Sequence, residues 1–240
     1  MTPQVAILID GGYFLKRLPS IRPYDGNDRA KHALHCLNSL VNGHLEKLNK
    51  TYCLENYWAM LYRVFYYDAH PFQENARLPI SNKNINFGST PQAEFRQKLF
   101  SGIRNKRKFA LRLGHVLREG KWQLHPNSLR ALLQQERDVA DLTDDDFRMD
   151  FRQKGVDMRI GMDITSLALK QQVDTIVLVS GDSDFIAVAK LARREGVEFV
   201  LDPMWWGVPA DLLEHIDGKW SGLRHHKHDA EEDEQLENLD

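Results

Sequence analysis

Apolar and polar residues follow two different rhythms along the chain, and each rhythm predicts one kind of element. Short continuous apolar runs that end in polar or glycine-containing segments predict buried strands. These runs cover residues 4–9, 60–67, 175–180 and 197–202. Apolar residues spaced three or four apart predict helices. The helical segments cover residues 28–50, 92–109, 126–137, 157–171, 184–195 and 209–216.

Strands that alternate with helices predict βαβ units and therefore an α/β domain with a parallel sheet. We assign this domain to residues 1–222 and interpret residues 72–150 as an elaborated insertion between the second and third main strands. Within it, residues 110–125 predict two short strands joined by a turn at Glu119 and Gly120. The Asp-rich segment 138–150 predicts an exposed loop, with a mobile cover near the site as the alternative.

Charge is distributed unevenly along the chain. The net charge is −2, but the last twelve residues contain seven acids and no Lys or Arg. Residues 223–240 are therefore expected to form a disordered acidic tail, and the three histidines beside it (His225, His226 and His228) receive no catalytic role. Without those twelve residues, 32 basic side chains face 27 acidic ones, a balance that permits nucleic-acid binding.

The composition also bears on location. No apolar run reaches the length of a membrane span, and the N-terminus reads as a strand without a signal peptide. The two cysteines, Cys36 and Cys53, lack the spacing of a metal site, so reduced thiols and a cytoplasmic location are expected.

Aspartates stand at the ends of two of the predicted buried strands. Asp10 ends the first strand, and Asp182 and Asp184 follow the strand 175–180. Asp10 taken alone reads as a turn residue, and Ser183 or Asp184 would cap the next helix, which leaves Asp182 without a structural role. If the two strands are neighbours, their carboxylates converge at one sheet edge, and a cation is the natural partner of such a cluster.

Two further aspartates belong to the predicted helix 157–171. Asp157 stands where this helix begins, and helix capping is the favoured interpretation of that residue alone. Asp163 falls on the inward stripe, where a carboxylate needs a metal ion or an ion pair, for instance with Lys154 or Arg159. Oxygen ligands without a His or Cys set favour Mg²⁺ or Mn²⁺ over zinc. Such ions activate water for attack on phosphodiesters.

Four segments together resemble the NYN domain of the PIN-like nuclease superfamily, in its bacterial LabA-type branch: ILIDGGYF, RVFYYDAHP, KGVDMRIGMDITSLA and VSGDSDFIAVAKLARREGVEFV. The resemblance implies a Rossmann-like three-layer α/β/α fold and metal-dependent RNA cleavage, with RNA as partner. It implies catalytic roles for Asp10, Asp157, Asp182 and Asp184, and metal binding by these four and Asp163. Gly11, Tyr13, Ser180, Gly181 and Ser183 are the supporting residues. Many relatives carry an Asn where this chain has Tyr13.

A basic stretch supplies the expected RNA contacts. Lys and Arg near phosphates add affinity without reading sequence. Lys154, outside the stretch, is assigned to the same role. The basic residues of the stretch itself are Arg96, Lys98, Arg104, Lys106, Arg107, Lys108 and Arg112, of which Arg104, Lys106, Arg107 and Lys108 are the assigned RNA contacts. The neighbouring Phe95, Phe100 and Phe109 either stack on bases or belong to the core. Trp205 and Trp206 are interpreted as core residues, with a hydrophobic wall or a homodimer contact as the alternative.

The leading interpretation of the sequence is an endoribonuclease. A second class of function stays open, a catalytically weak RNA-binding or regulatory module on the same fold. Two other classes lose support. A haloacid-dehalogenase-like phosphatase needs an Asp where Gly12 stands, and a dinucleotide-binding enzyme needs a glycine-rich GxGxxG loop that is absent after the first strand.

Overall fold

A computed structural model describes residues 2–24 and 26–226. The strands are β1 (Val5–Asp10), β2 (Leu61–Ala69), β3 (Asn75–Arg77), β4 (Asn84–Asn86), β5 (Phe109–Leu124), β6 (Phe147–Lys154), β7 (Thr175–Val179), β8 (Glu198–Asp202) and β9 (Gly218–Lys219). The α-helices are α1 (Gly11–Ile21), α2 (Arg29–Tyr52), α3 (Pro91–Arg104), α4 (Pro126–Leu133), α5 (Val156–Leu169), α6 (Ile186–Arg194) and α7 (Ala210–Leu213).

Seven strands form the main sheet in the order β6-β5-β2-β1-β7-β8-β9. All neighbours are parallel except β5 and β6, while β3 and β4 form a separate hairpin. Strand β1 lies between β2 and β7 and is apolar along its length because both of its faces are covered. The predicted α/β fold with a parallel sheet is confirmed.

Helices cover both faces of the sheet and create two cores. Alternate residues of β1 enter different cores, with Val5, Ile7 and Ile9 facing α1, α2 and α3. Ala6 and Leu8 face α5 and α6 on the other side. This gives the predicted three-layer α/β/α arrangement.

Strand β5 differs most from the prediction. It is one continuous strand with a register shift between Arg118 and Trp122, so the predicted pair of strands with a turn at Glu119 and Gly120 is wrong. Its first six residues pair with β2 up to Gly114, which means that the segment 72–150 contributes a strand to the main sheet. Residues 115–124 pair only with β6 and form a ribbon beyond the carboxyl ends of the central strands.

The Asp-rich segment beside this ribbon is structured by its own carboxylates. It forms two 3₁₀ turns, Val139–Asp141 and Asp144–Asp146, before β6 begins. Asp146 is buried and binds the guanidinium of Arg137, which holds the pKa of that carboxyl below its ordinary value. Asp144 accepts backbone N–H groups of the β3–β4 hairpin. The prediction of a plain exposed loop is therefore wrong for Asp146.

The C-terminal part of the described chain packs onto the domain. Leu223, which the sequence had placed in the tail, is buried, and the rings of His225 and His226 stack 4.8 Å apart. The rest of the predicted tail, with His228, lies outside the described residues. Both cysteines are free thiols. Within residues 2–24 and 26–226, no helix is long and apolar enough to cross a membrane.

Candidate active site

Three of the predicted aspartates line one cleft at the carboxyl edge of the sheet. Asp10 is the last residue of β1, and Asp182 follows the end of the neighbouring strand β7. Asp157 reaches the same edge because β6 returns there and α5 begins directly after it. The cleft encloses about 530 Å³. Side chains of two neighbouring strands and of one helix start therefore converge, as the strand ends predicted.

Asp10 is the most buried of these carboxylates. Its Oδ1 accepts the backbone N–H of Tyr13 at 3.1 Å and so caps helix α1. Burial is the main cause that raises the pKa of Asp10 to about 6. The backbone N–H groups of Tyr13 and Gly12 oppose this rise, and the carboxylates of Asp157 and Asp68 contribute to it. Ionisation of a carboxyl group in this environment is unfavourable unless a positive charge compensates it.

Asp157 is free of the capping role that its position suggested. The residue before α5 is Gly155, whose φ of 79° is left-handed and suits glycine, and Asp157 lies in the first helical turn. Partial burial is the main cause that raises the pKa of Asp157, followed by the carboxylates of Asp182 and Asp184. The repulsion indicates that these acids share one region of negative potential.

Asp182, in contrast, does cap a helical turn. Its Oδ1 accepts the backbone N–H of Asp184 at 3.0 Å, at the start of the 3₁₀ turn Ser183–Phe185. The expectation that Ser183 or Asp184 provides the cap is therefore wrong. Asp182 lines the cleft, whereas Asp184 is exposed beside it and acts on Asp157 through its charge.

The donor set of the cleft fits a hard divalent cation. Among the described residues, no three His, Cys, Asp or Glu side chains are gathered closely enough to coordinate one ion directly. Mg²⁺ commonly uses only one or two carboxylates and keeps several waters, for which this cleft has room. Burial is the main cause of the raised pKa values of Asp10 and Asp157, and neighbouring carboxylates add to it, so a cation would offset the cost of ionising these groups. Asp10, Asp157 and Asp182 would hold the ion.

Asp163 lies away from this cleft. It accepts the hydroxyl of Tyr67 at 2.7 Å and pairs with Arg112 Nε at 3.3 Å. Arg159, one of its expected partners, donates instead to the carbonyl of Gly155. The inward position that the helical phase predicted is correct, and the carboxylate is compensated by partners on β2 and β5.

Tyr13 lines the cleft and contacts the chain after β7 and β8. Its hydroxyl donates to the carbonyl of Pro203 at 2.7 Å, and a Cβ added at Gly181 would lie 2.7 Å from its ring. Burial raises the pKa of Tyr13 to about 12, so the hydroxyl remains a donor. Ser180 is buried, and its Oγ accepts the backbone N–H of Asp182 at 3.3 Å. Gly11 is equally confined, by Tyr66 and the next strand.

Comparison with known proteins finds one similar family. A model of the NYN domain matches residues 94–205, which span β5, β6, α5, β7, α6 and β8. This segment of the chain is therefore similar to the NYN domain. The match includes Asp157, Asp163, Asp182 and Asp184, and Asp10 lies before it.

The other comparisons add no argument about activity. A crystal structure of a protein of unknown function from Vibrio parahaemolyticus is similar over 91% of each chain, with 15% identity and a TM-score of 0.40. A search of curated proteins found no match. The match of residues 94–205 to the NYN domain is what supports a PIN-like nuclease fold.

The basic residues predicted to bind RNA are divided between the two edges of the main sheet. Arg104, Lys106, Arg107 and Lys108 lie at the end of α3 and in the turn before β5, at the amino edge of the sheet. About five residues of strand, or roughly 17 Å, separate this edge from the aspartates. Of the five residues assigned to RNA contacts, Lys154 is the one at the carboxyl edge, where it is the last residue of β6. The structure does not bring the two groups together.

The phenylalanines of the same stretch belong to the core. Phe95 and Phe100 are buried under α3, and Phe109 packs against the same cluster. They are therefore unavailable for stacking on bases, and the core interpretation is correct. Arg96 of the same stretch forms an ion pair with the buried Asp68 at the end of β2.

Lys16 of this cleft was missed from the sequence, and the favoured interpretation of Trp206 as a core residue is wrong. Lys16 and Trp206 line the same cleft as Asp10 and Asp157. Lys16 lies on α1, a helix that the sequence reading left unassigned. Phe14, Leu18 and Ile21 are its buried residues, and their spacing of four and three would have revealed the helix.

A strained turn follows β8 and carries Trp206. The N–H of Trp206 donates to the carbonyl of Pro203 at 3.0 Å, and the two residues between them, Met204 and Trp205, have φ of 47° and 60°. These are the φ signs of a type I′ turn, which favours Asn and Gly at both positions. Left-handed backbone at other residues costs about 1–3 kcal/mol each and persists only where the surroundings enforce it.

Asp202 enforces this turn from inside the protein. It is buried, and its carboxylate accepts the N–H groups of Met204 at 2.7 Å and Gly222 at 3.0 Å. His44 Nε2 lies 2.8 Å from Oδ2 of this carboxylate, the oxygen that also accepts the N–H of Gly222. Because the indole of Trp220 can only donate and it donates to His44 Nδ1, the proton of His44 is on Nε2 and is donated to Asp202.

Proposed function

We propose that this protein is a metal-dependent endoribonuclease that hydrolyses RNA phosphodiester bonds at the cleft of Asp10, Asp157 and Asp182. The observation that carries the proposal is the buried Asp10 carboxyl, whose pKa is raised to about 6 and which faces the negative charge of Asp157. Such an arrangement is unfavourable for folding, and charged groups with perturbed pKa values in a cleft are typical of functional sites. The NYN domain points to the same class of activity.

A bound Mg²⁺ or Mn²⁺ would polarise a phosphate oxygen and activate water for attack on phosphorus. The chain itself supplies the placement. Asp10 is fixed by the N–H of Tyr13, and Asp182 is fixed by its bond to the N–H of Asp184. Lys16 and Lys154 are exposed at this edge and are assigned to the RNA backbone.

Asp184 and Asp163 take different parts in this proposal. Asp184 adds negative charge beside Asp157 and remains with the catalytic group. Asp163 is committed to Tyr67 and Arg112, so we assign it to positioning of α5 instead of metal binding. The homodimer and the cytoplasmic location expected from the sequence stay predictions.

Asp182→Asn is expected to remove metal-dependent cleavage of single-stranded RNA and to leave RNA binding in place. The amide keeps the capping acceptor but loses the charge that binds the cation, so we expect a loss of about 100-fold or more in rate. The measurement is cleavage of an end-labelled single-stranded RNA with Mn²⁺, with Mg²⁺ and with a chelator.

Asp145→Asn is the matched control, because it makes the same change at an exposed acid on the tip of the ribbon. It should cleave like the wild type. The second candidate function is an RNA-binding or regulatory module. It is supported if the wild type binds RNA but neither Mn²⁺ nor Mg²⁺ stimulates cleavage. That candidate is favoured by the open spacing of the acids.

A further inference from the structure

Trp206 is exposed at the rim of the aspartate cleft. Its side chain is 60% exposed, although the sequence predicted core packing for it. It lines the cleft together with Asp10, Asp157 and Lys16. A large aromatic ring in this position gives up the burial that indoles normally find, and the neighbouring Trp205 is 46% exposed as well.

The backbone around Trp206 is held in place before any ligand arrives. The strained turn is fixed by Tyr13, whose hydroxyl binds the carbonyl of Pro203, and by Asp202, which binds the N–H of Met204. The N–H of Trp205 donates to Ser221 Oγ at 3.0 Å. A ring presented by such a turn loses little conformational freedom when it binds a ligand.

Cationic groups flank the ring. The guanidinium of Arg17 lies 4.4 Å from the ring centre of Trp206 and also donates to the carbonyl of Met204. Lys16 precedes it on α1 and is exposed in the cleft. The cleft thus combines acidic side chains, an exposed lysine and an indole ring that contacts a guanidinium group.

We propose that Trp206 stacks on an unpaired base of the RNA next to the phosphate at the aspartates, with Lys16 on the backbone between them. This assignment rests on the proposed function and names its substrate class, single-stranded RNA. A positively charged path with aromatic platforms is how proteins bind single strands without reading sequence. Bases inside a duplex are stacked on each other and do not offer a free face to an indole.

The test measures RNA affinity separately from cleavage. Fluorescence anisotropy with the metal-free protein in the presence of a chelator compares a short single-stranded RNA, the same RNA with abasic sites, and a blunt-ended duplex. Trp206→Ala should weaken binding of the intact single strand by about tenfold, in the range of one stacked base. Trp206→Phe should retain most of the affinity. The abasic RNA and the duplex should bind the alanine variant and the wild type equally.

Trp58→Ala is the matched control, because Trp58 is 40% exposed in the turn Tyr57–Met60 at the amino edge of the sheet. Equal affinities of the Trp206→Ala and Trp58→Ala variants would overturn the stacking assignment, and so would equal weakening on intact and abasic RNA. If Trp206 contributes as expected but the wild type never cleaves RNA with Mn²⁺, the proposed cleavage falls and the stacking stands. No binding of any RNA by the wild type would overturn both.

Discussion

Asp10→Asn is expected to abolish RNA cleavage and, at the same time, to stabilise the metal-free protein at pH 7. The wild-type carboxylate is ionised at this pH although burial raises its pKa from 3.8 to about 6. That difference corresponds to about 2–3 kcal/mol of lost stability, which an uncharged amide avoids. The amide oxygen can still accept the N–H of Tyr13. Cleavage should fall by about 100-fold or more, since a proposed metal ligand is lost.

The pH dependence of this stabilisation follows from the same raised pKa. The folded protein keeps the proton on Asp10 up to about pH 6, whereas the unfolded chain releases it near the ordinary value of 3.8. Ionisation of Asp10 therefore lowers the stability of the wild type progressively between these two values. The advantage of the variant should be complete above about pH 6 and should vanish below about pH 4.

Urea denaturation of both proteins across this pH range measures the difference, and other titrating groups cancel in the comparison. Saturating Mn²⁺ should raise the melting temperature of the wild type and leave that of Asp10→Asn unchanged, because only the wild type binds the ion tightly. A variant that is less stable than the wild type at pH 7 would contradict the description of Asp10 as a destabilised functional group.

Asp202→Ala is expected to lower the free energy of unfolding by about 3–5 kcal/mol. It leaves the donors of the buried His44 and Met204 and of the partly buried Gly222 without their acceptor. The strained turn that carries Trp206 should relax as well. RNA cleavage should then fall even under conditions in which the variant is folded. Urea denaturation gives the stability, and cleavage at low temperature gives the activity.

Asp174→Ala serves as the control for this change. Asp174 also accepts a backbone N–H, that of Gln4, but it does so at an exposed position, so its loss should cost less than about 1 kcal/mol. If Asp202→Ala does not fold, Asp202→Asn retains one acceptor and should show a smaller loss in the same direction. A stability within 1 kcal/mol of the wild type for Asp202→Ala would contradict the role of this carboxylate.

Strand ends were the most informative feature of the sequence. The runs 4–9 and 175–180 are apolar because β1 and β7 are covered on both faces, so a polar residue marks where each strand leaves the core. Asp10 and Asp182 were located in this way without any knowledge of tertiary contacts. Helix α1 was missed because Gly11, Gly12 and Pro19 resemble loop residues, although its buried face has helical spacing.

Features that depend on partners far along the chain were harder to predict. Glu119 and Gly120 look like a turn, but pairing with β6 keeps β5 extended through them. The helical phase of Asp163 indicated burial correctly, whereas its partners, Tyr67 and Arg112, come from two other elements. Sequence spacing within one helix carries no information about such contacts.

The position of the basic cluster was predictable in principle. A helix that connects two parallel strands must return the chain to the amino edge of the sheet. The end of α3 and Lys106 therefore could not lie near the carboxyl ends of the strands. The exposure of Trp206 was not predictable. It depends on left-handed backbone at Met204 and Trp205, which neither residue type favours.

Crystals soaked in Mn²⁺ test the central claim most directly, through an anomalous difference map at the manganese edge. The proposal predicts one or more manganese peaks in the cleft between Asp10, Asp157 and Asp182, and none there in crystals of the Asp10→Asn variant. An empty cleft in the wild type at saturating Mn²⁺, or a peak that persists unchanged in Asp10→Asn, would contradict it.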